Sequence, residues 1–167
     1  KEVMEALRAS AKSITVLDHH EGVRDVATTF PGVFDPSHSG AVIAWNYFHP
    51  DTSVPTLIAY IEDGDLYTFA LPHSREILSY VYISDQLSAI EKWDALVQDF
   101  ENPEKIRGVV ETGALFSQYH EHIVHHAVTH AELVEFEGYE CYLAGTSGEF
   151  ISDTGHALAL AKPPLGM

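Results

Sequence analysis

The feature that most constrains the fold is a short apolar run at residues 14–17 (ITVL), which stops abruptly at Asp18-His19-His20. The run is rich in β-branched side chains and has the length of a buried strand. A helical pattern of apolar residues precedes it over 3–11. Helix, buried strand and polar residues at the strand's carboxyl end are typical of α/β proteins, in which ligands gather at that edge of the sheet. We therefore expect a parallel sheet flanked by helices.

Helical patterns dominate the chain from there to about residue 131. A loop rich in Gly, Pro and Ser is predicted over 21–39, and Ser39 is suited to cap the next helix. Pro55 fits the first turn of another helix, which runs into an acidic segment at 62–65. Further helices are predicted over 75–82, 89–100 and 104–131.

The pattern changes after the longest helix. Apolar residues alternate on both sides of Glu137-Gly138, which predicts a hairpin. Ser152 is then predicted to cap a helix that begins at Asp153. We expect three parts: the carboxyl-terminal portion of one domain over 1–103, a connecting helix over 104–131, and the start of a second, smaller α/β domain over 132–167.

The charge and composition of the chain limit the classes of partner that it can bind. Nine Lys and Arg against 25 Asp and Glu give a formal charge of −16, which argues against duplex nucleic acid and anionic membranes. No apolar run approaches the length of a membrane span. The single Cys141 gives no sign of an oxidising compartment, so we expect a cytoplasmic protein. An acidic protein binds a small phosphorylated ligand when metal ions invert the local charge.

Two groups of side chains could supply such a site. A histidine at a strand end can ligate a metal, and a neighbouring carboxylate orients its ring; Asp18-His19-His20 has this form. Metals that handle phosphate, Mn²⁺ among them, favour carboxylates together with imidazole, and Glu62, Asp63 and Asp65 are candidates. The alternatives are a solvated loop with two histidines and an ordinary acidic helix end.

Other polar and aromatic groups are more ambiguous. The segment 152–156 (SDTGH) could present a helix N-terminus to an anion, or it could be a simple helix cap. His122, His126 and His130 line one edge of the longest helix, where we favour a solvated or inter-domain face over metal ligation. Four aromatic residues are predicted to lie in the core: Trp45, Tyr47, Phe48 and Trp93.

Three ordered segments resemble one known family, the DHH phosphoesterases. Residues 13–20 (SITVLDHH) look like its third motif, and 39–45 (SGAVIAW) and 60–67 (YIEDGDLY) match the segments downstream of that motif in one branch. That branch is similar to the bacterial oligoribonucleases (nanoRNases) and cyclic-nucleotide phosphodiesterase-like proteins. The resemblance continues through the long helix near Gly108 and through Gly138-Tyr139 to residues 152–158 (SDTGHAL), and so covers nearly the whole chain.

The resemblance implies a two-metal site, usually with Mn²⁺ and with Mg²⁺ as the alternative, between a DHH domain and a DHHA1-type domain. His19 would be a metal ligand, and His20 would contact phosphate or act as an acid, with Asp18 orienting the pair. Asp63 would be a second ligand, and Asp65 a weaker candidate. The substrate-binding residues implied in the second domain are Ser152, Gly155 and His156.

The chain also departs from the family pattern. The family's first two motifs lie upstream of its DHH strand, and none of the 17 residues before Asp18 fits them. We therefore expect a section of a longer protein that could not hold two metals alone. The leading hypothesis is a metal-dependent phosphohydrolase acting on short oligonucleotides or small nucleotides, with homodimer formation left open. The alternatives are a non-catalytic binding or assembly subunit and a pyrophosphatase- or polyphosphatase-like hydrolase.

Overall fold

The computed structural model describes residues 2–83 and 89–161 of the chain. Within these ranges the fold is a mixture of helices and two small sheets. The elements in chain order are α1 (Glu2–Ser10), β1 (Val16–Asp18), α2 (Arg24–Ala27), β2 (Gly32–Phe34), α3 (Gly40–Phe48), α4 (Thr56–Asp65), α5 (Ser74–Ile83), α6 (Ile90–Phe100), α7 (Pro103–Thr129), β3 (Glu132–Phe136), β4 (Tyr139–Leu143) and α8 (Ile151–Ala161).

The first sheet is a parallel pair, β1 and β2, in which Val16 lies opposite Gly32 and Asp18 opposite Phe34. This confirms an α/β fold with parallel strands. The loop predicted over 21–39 is partly wrong, because the segment contains α2 and β2. A three-residue strand is too short to show a period of two in the sequence. Gly32 is required there, since its φ is +144° and a Cβ would lie 1.8 Å from the carbonyl oxygen of Val16.

The core lies among α4, α5, α6 and α7. Its buried side chains are Leu57, Ile77, Val81, Leu96, Phe100 and Val109. At Gly113, α7 approaches α5 so closely that an added Cβ would lie 1.9 Å from the carbonyl oxygen of Glu76. Side chains elsewhere in this interface interlock, but at this point backbone meets backbone.

Most predicted helices are confirmed, together with the cap predicted at Ser39. The Ser39 hydroxyl accepts a hydrogen bond from the Val42 amide at 3.2 Å. Asn102 accepts one from the Glu104 amide at 3.0 Å, and Pro103 occupies the first turn of α7. These contacts satisfy amides that have no partner within the helix.

The predicted core aromatics are wrong at two positions on α3. This helix buries Val42 and Ile43, whereas Tyr47 and Phe48 are exposed. Trp45 and Trp93 are half-buried. Because α3 is apolar on several sides, its sequence alone does not select the face that packs inward.

The second sheet is the predicted hairpin. β3 and β4 pair antiparallel, with Phe136 opposite Tyr139. Glu137 and Gly138 have φ values of 51° and 85°, as a tight two-residue turn with right-handed strand twist requires. The proposed division into domains remains a prediction.

The predicted cap at Ser152 is wrong. A single 3-10 turn over Gly148–Phe150 leads directly into α8, which begins at Ile151. Ser152 therefore lies within the first turn of the helix. The ring of Phe150 packs edge-on against His120 of α7, with centroids 4.8 Å apart, and this contact anchors the turn that starts α8 early. None of the helices in the described ranges is long and apolar enough to cross a bilayer.

Candidate functional site

Asp18 organises the end of β1. Its Oδ1 accepts hydrogen bonds from the backbone amides of His19 at 2.7 Å and His20 at 2.9 Å. The same oxygen lies 2.8 Å from Nδ1 of the His20 ring. The backbone and ring contacts from His20, with help from His19, lower the pKa of Asp18 below its usual range. With the ring proton on Nδ1, His20 donates a hydrogen bond to the Asp18 carboxylate. Asp18 therefore holds the ring through Nδ1, and Nε2 makes no contact with this carboxylate.

His19 faces a carboxylate on the last residue of α4. Its Nε2 lies 3.4 Å from Oδ2 of Asp65, and the His19 side chain is 13% exposed against 44% for Asp65. Gly40 lies next to the His19 ring, where an added Cβ would be 4.0 Å from Cδ2. Two ligands bound at about 2.1 Å to one ion and at right angles to each other lie about 3 Å apart. The spacing of this pair therefore suits a shared ion.

Asp63 is turned into the protein. Its Oδ1 accepts hydrogen bonds from the Thr68 hydroxyl and, at 2.8 Å, from the Ala70 amide, while Oδ2 accepts one from the Leu71 amide at 3.0 Å. The Ser74 hydroxyl lies beside the carboxylate without a hydrogen bond of normal geometry. Asp63 thus holds the loop between α4 and α5. Asp65, the weaker candidate from the sequence, is the carboxylate that reaches His19.

The environment of Asp63 shifts its ionisation. Burial raises the pKa of the carboxyl, but the surrounding hydroxyls and amides outweigh burial and lower the pKa to about 2. Because the folded pKa lies below the unfolded value, the carboxylate stabilises the fold above about pH 4, and this stability is lost as the pH falls toward 2.

This shift predicts a specific acid sensitivity. A pKa lowered from 3.8 to about 2 corresponds to about 2 to 3 kcal/mol of unfolding free energy, of which about 2 kcal/mol is lost by pH 2. We expect the stability difference between the wild-type chain and Asp63→Asn, measured by urea denaturation, to shrink by about this amount between about pH 5 and pH 2. A difference that does not change over that range would contradict the structural role of the carboxylate.

Glu62, the third acidic residue of this segment, faces a different neighbour. Its Oε2 accepts a hydrogen bond from the Ser39 amide at 2.8 Å and lies 3.1 Å from Nδ1 of His38. Glu62 therefore ties the end of α4 to the start of α3. Sequence reasoning missed His38, whose only signal was its position next to the cap residue Ser39.

A polar cluster joins the carboxyl-terminal segment to the loop after Asp65. The Tyr67 hydroxyl donates to Oδ1 of Asp153, and Nε2 of His120 lies 2.7 Å from Oδ2 of the same carboxylate. The His156 ring lies 4.7 Å from the Tyr67 ring. Burial, followed by the Asp153 carboxylate, raises the pKa of Tyr67 to about 12. The cluster places His156 against Tyr67, which lies two positions along the chain from Asp65.

The anion-binding argument for the start of α8 is weakened by where the helix begins. Only the first four amides of a helix lack an internal partner. Gly155 and His156 are the fifth and sixth residues of α8, and Ser152 is exposed. The substrate-binding roles of Ser152, Gly155 and His156 remain predictions, carried by the resemblance and, for His156, by its ring contact.

The donors around His19 do not by themselves complete a metal site. In the described ranges, no group of three or more His, Cys, Asp or Glu side chains is arranged to hold a metal ion. His126 on α7 and His130, which caps the end of that helix, stack with centroids 4.1 Å apart, and Nδ1 of His130 lies 2.8 Å from the His126 carbonyl oxygen. His19 and Asp65 supply two donors of the right chemistry, and a metal site here remains a prediction.

The chain is similar to a longer viral protein. It is 26% identical to an uncharacterized protein of Acanthamoeba polyphaga mimivirus, over 96% of this chain and 38% of the viral protein. The chain thus spans well under half the length of that relative. No protein-family profile matches the chain, and no solved structure matches it.

Proposed function

We propose that this chain forms part of a metal-dependent phosphohydrolase that cleaves phosphoester bonds in short oligonucleotides or small nucleotides. The observation that carries the proposal is the arrangement at the end of β1, where Asp18 holds His20 and His19 approaches Asp65 to 3.4 Å. Support also comes from the three ordered segments that resemble the DHH phosphoesterases. The activity belongs to the full-length protein, of which these residues supply one wall of the site.

His19 and Asp65 would hold one metal ion, Mn²⁺ or Mg²⁺, together with donors outside the described residues. Such an ion supplies charge stabilisation at the phosphoryl oxygens and an acidified water. The His19 ring is mostly buried and lies against Gly40 and Asp65, so its position is fixed before any ligand binds. A ligand held by packing in this way loses little conformational entropy on binding.

His20 is suited to a different task. Its ring is exposed, and Asp18 contacts it through Nδ1. The free Nε2 can therefore contact a phosphate oxygen or donate a proton to a leaving oxygen, while the Asp18 carboxylate stabilises the charged ring. This division gives the two adjacent histidines separate roles, with His19 directed to the metal and His20 to the substrate.

The test uses the full-length natural protein that contains these residues. We expect Mn²⁺-dependent hydrolysis of a dinucleotide or cyclic nucleotide, with pyrophosphate assayed in parallel. Since mutation of groups that merely support metal ligands costs about 10- to 100-fold, His19→Ala and Asp65→Asn should each lower kcat/KM by at least that much. Bound Mn²⁺, measured by metal analysis, should fall in the same two variants.

His122→Ala on α7 is the matched control, because it removes an exposed histidine far along the chain from the site. It should leave both activity and metal content unchanged. Turnover of pyrophosphate alone would favour the pyrophosphatase alternative. A folded, metal-loaded protein that hydrolyses none of these substrates would replace the proposal with the non-catalytic binding or assembly subunit.

A further inference from the structure

A cavity of about 330 Å³ opens at the carboxyl end of β2 and runs along α3. Small-molecule sites in proteins begin at about this size. The walls combine apolar, aromatic and polar side chains. The lining residues are Val33, Asp35, His38, Ile43, Asn46 and Tyr47.

The polar end of the cavity lies next to the strand that carries the candidate phosphohydrolase site. The Asp35 amide donates to the Asp18 carbonyl oxygen at 3.1 Å, so the polar end of the cavity adjoins the strand end. Gly40 faces the His19 ring. Because residues three and four apart share one face of a helix, Ile43 and Tyr47 continue the face of α3 that begins at Gly40. A ligand whose phosphate lies near His19 would extend along this face into the cavity.

The walls fit an aromatic base. The Tyr47 ring lines the cavity and is 46% exposed. Bases of any sequence stack on exposed aromatic rings of this kind. The floor is formed by the buried Ile43, and Asn46 offers an amide that can donate to and accept from the edge of a base.

The other end of the cavity fits ribose hydroxyl groups. Asp35 is held in place because its Oδ1 accepts hydrogen bonds from the Ser37 amide and hydroxyl. The Ser37 contacts also lower the pKa of Asp35. The second carboxylate oxygen can accept from vicinal hydroxyls, as acidic residues do in dinucleotide sites. A nucleoside carries no charge, so the net charge of −16 does not oppose its binding.

We infer that this cavity binds the nucleoside part of a nucleotide, with Tyr47 stacked on the base, Asn46 at the base edge and Asp35 on the ribose hydroxyls. The inference rests on the proposed function for the position of the phosphate. It goes beyond that function in naming the residues that distinguish a nucleotide from inorganic pyrophosphate.

Adenosine is the probe, because it lacks a phosphate and so tests the cavity without the metal site. We expect saturable adenosine binding to this chain, measured by NMR titration. Loss of one stacking partner costs about 1–3 kcal/mol, or about 5- to 150-fold in affinity, so Tyr47→Ala should weaken binding within that range. Tyr119→Ala on α7, which removes a tyrosine that is 62% exposed, is the matched control and should bind as the wild type does.

A second comparison tests the proposed contact between Asp35 and the ribose hydroxyl groups. The wild-type chain should prefer adenosine to 2′,3′-dideoxyadenosine, and Asp35→Asn should reduce that preference while it retains the turn at Ser37. Absence of adenosine binding by the folded chain, or equal losses in Tyr47→Ala and Tyr119→Ala, would overturn the inference.

The outcomes also separate the two proposals. If the full-length protein has no hydrolase activity but binds adenosine, and Tyr47→Ala abolishes that binding, the nucleoside site is supported and the proposed function is wrong. If the protein hydrolyses nucleotides and Tyr47→Ala leaves KM unchanged, the proposed function is supported and the assignment of the cavity as a nucleoside site is wrong.

Discussion

Replacing Asp63 by alanine is expected to lower the free energy of unfolding by about 3 kcal/mol. The substitution leaves the amides of Ala70 and Leu71 and the hydroxyl of Thr68 without their acceptor. An unsatisfied buried donor costs about 1–3 kcal/mol, and partial rehydration keeps such costs from adding fully. Chemical denaturation at neutral pH in the presence of a chelator measures the change without any contribution from bound metal.

Asp65→Ala is the internal control, since it removes a carboxylate two residues away. Asp65 is 44% exposed and contacts His19, and exposed pairs of this kind contribute about 1 kcal/mol or less. If the two variants unfold at the same denaturant concentration, Asp63 has no special structural role. The assignment of Asp63 as a metal ligand stays a prediction in either case.

Gly113→Ala is also expected to destabilise the fold, by about 2 kcal/mol after the gain in helix propensity is subtracted. Its Cβ would lie 1.9 Å from a backbone carbonyl oxygen of α5, and a backbone atom cannot move aside as a side chain does. Alanine has a helix propensity about 1 kcal/mol better than glycine, but forced separation of packed helices costs about 1–3 kcal/mol or more. Thermal unfolding followed by circular dichroism should show a lower Tm.

Gly108→Ala gives the opposite expected sign on the same helix. An added Cβ at Gly108 meets nothing within 4 Å, so only the gain in helix propensity remains, about 1 kcal/mol. Comparing the two glycine substitutions therefore separates the effect of helix packing on stability from the effect of helix propensity. Equal effects at the two positions would contradict the close approach of α5 and α7.

Most helices and the hairpin were predictable because their signals are local. Apolar spacing, Asn102 with Pro103, and the Glu137-Gly138 turn each act within a few residues. Strand β2 was not predictable, since three residues show no period and its partner lies 16 positions upstream. The start of α8 was missed because a 3-10 turn over Gly148–Phe150 leads directly into the helix, and the Phe150 ring of that turn contacts a residue on α7, far from it in the sequence.

The candidate site shows a second limit of sequence reasoning. Asp63 and Asp65 belong to one helix, where successive residues are rotated by about 100°, so residues two apart point to nearly opposite sides. The acidic segment predicted carboxylates near the strand end but not which one reaches His19. The resemblance favoured Asp63, whereas packing turns Asp63 toward the loop at 68–71 and Asp65 toward the histidine.

The hydrogen bond between Tyr67 and Asp153 has a consequence for the order of folding. The two residues are 86 positions apart, and closing a long loop costs entropy before the contact returns any stability. Helix α8 also buries only Thr154, whereas α5 buries four residues, Ser74, Ile77, Leu78 and Val81, so α8 should dock late. The same helix should then open first under native conditions, with its amides exchanging hydrogen ahead of those in α5 and α7.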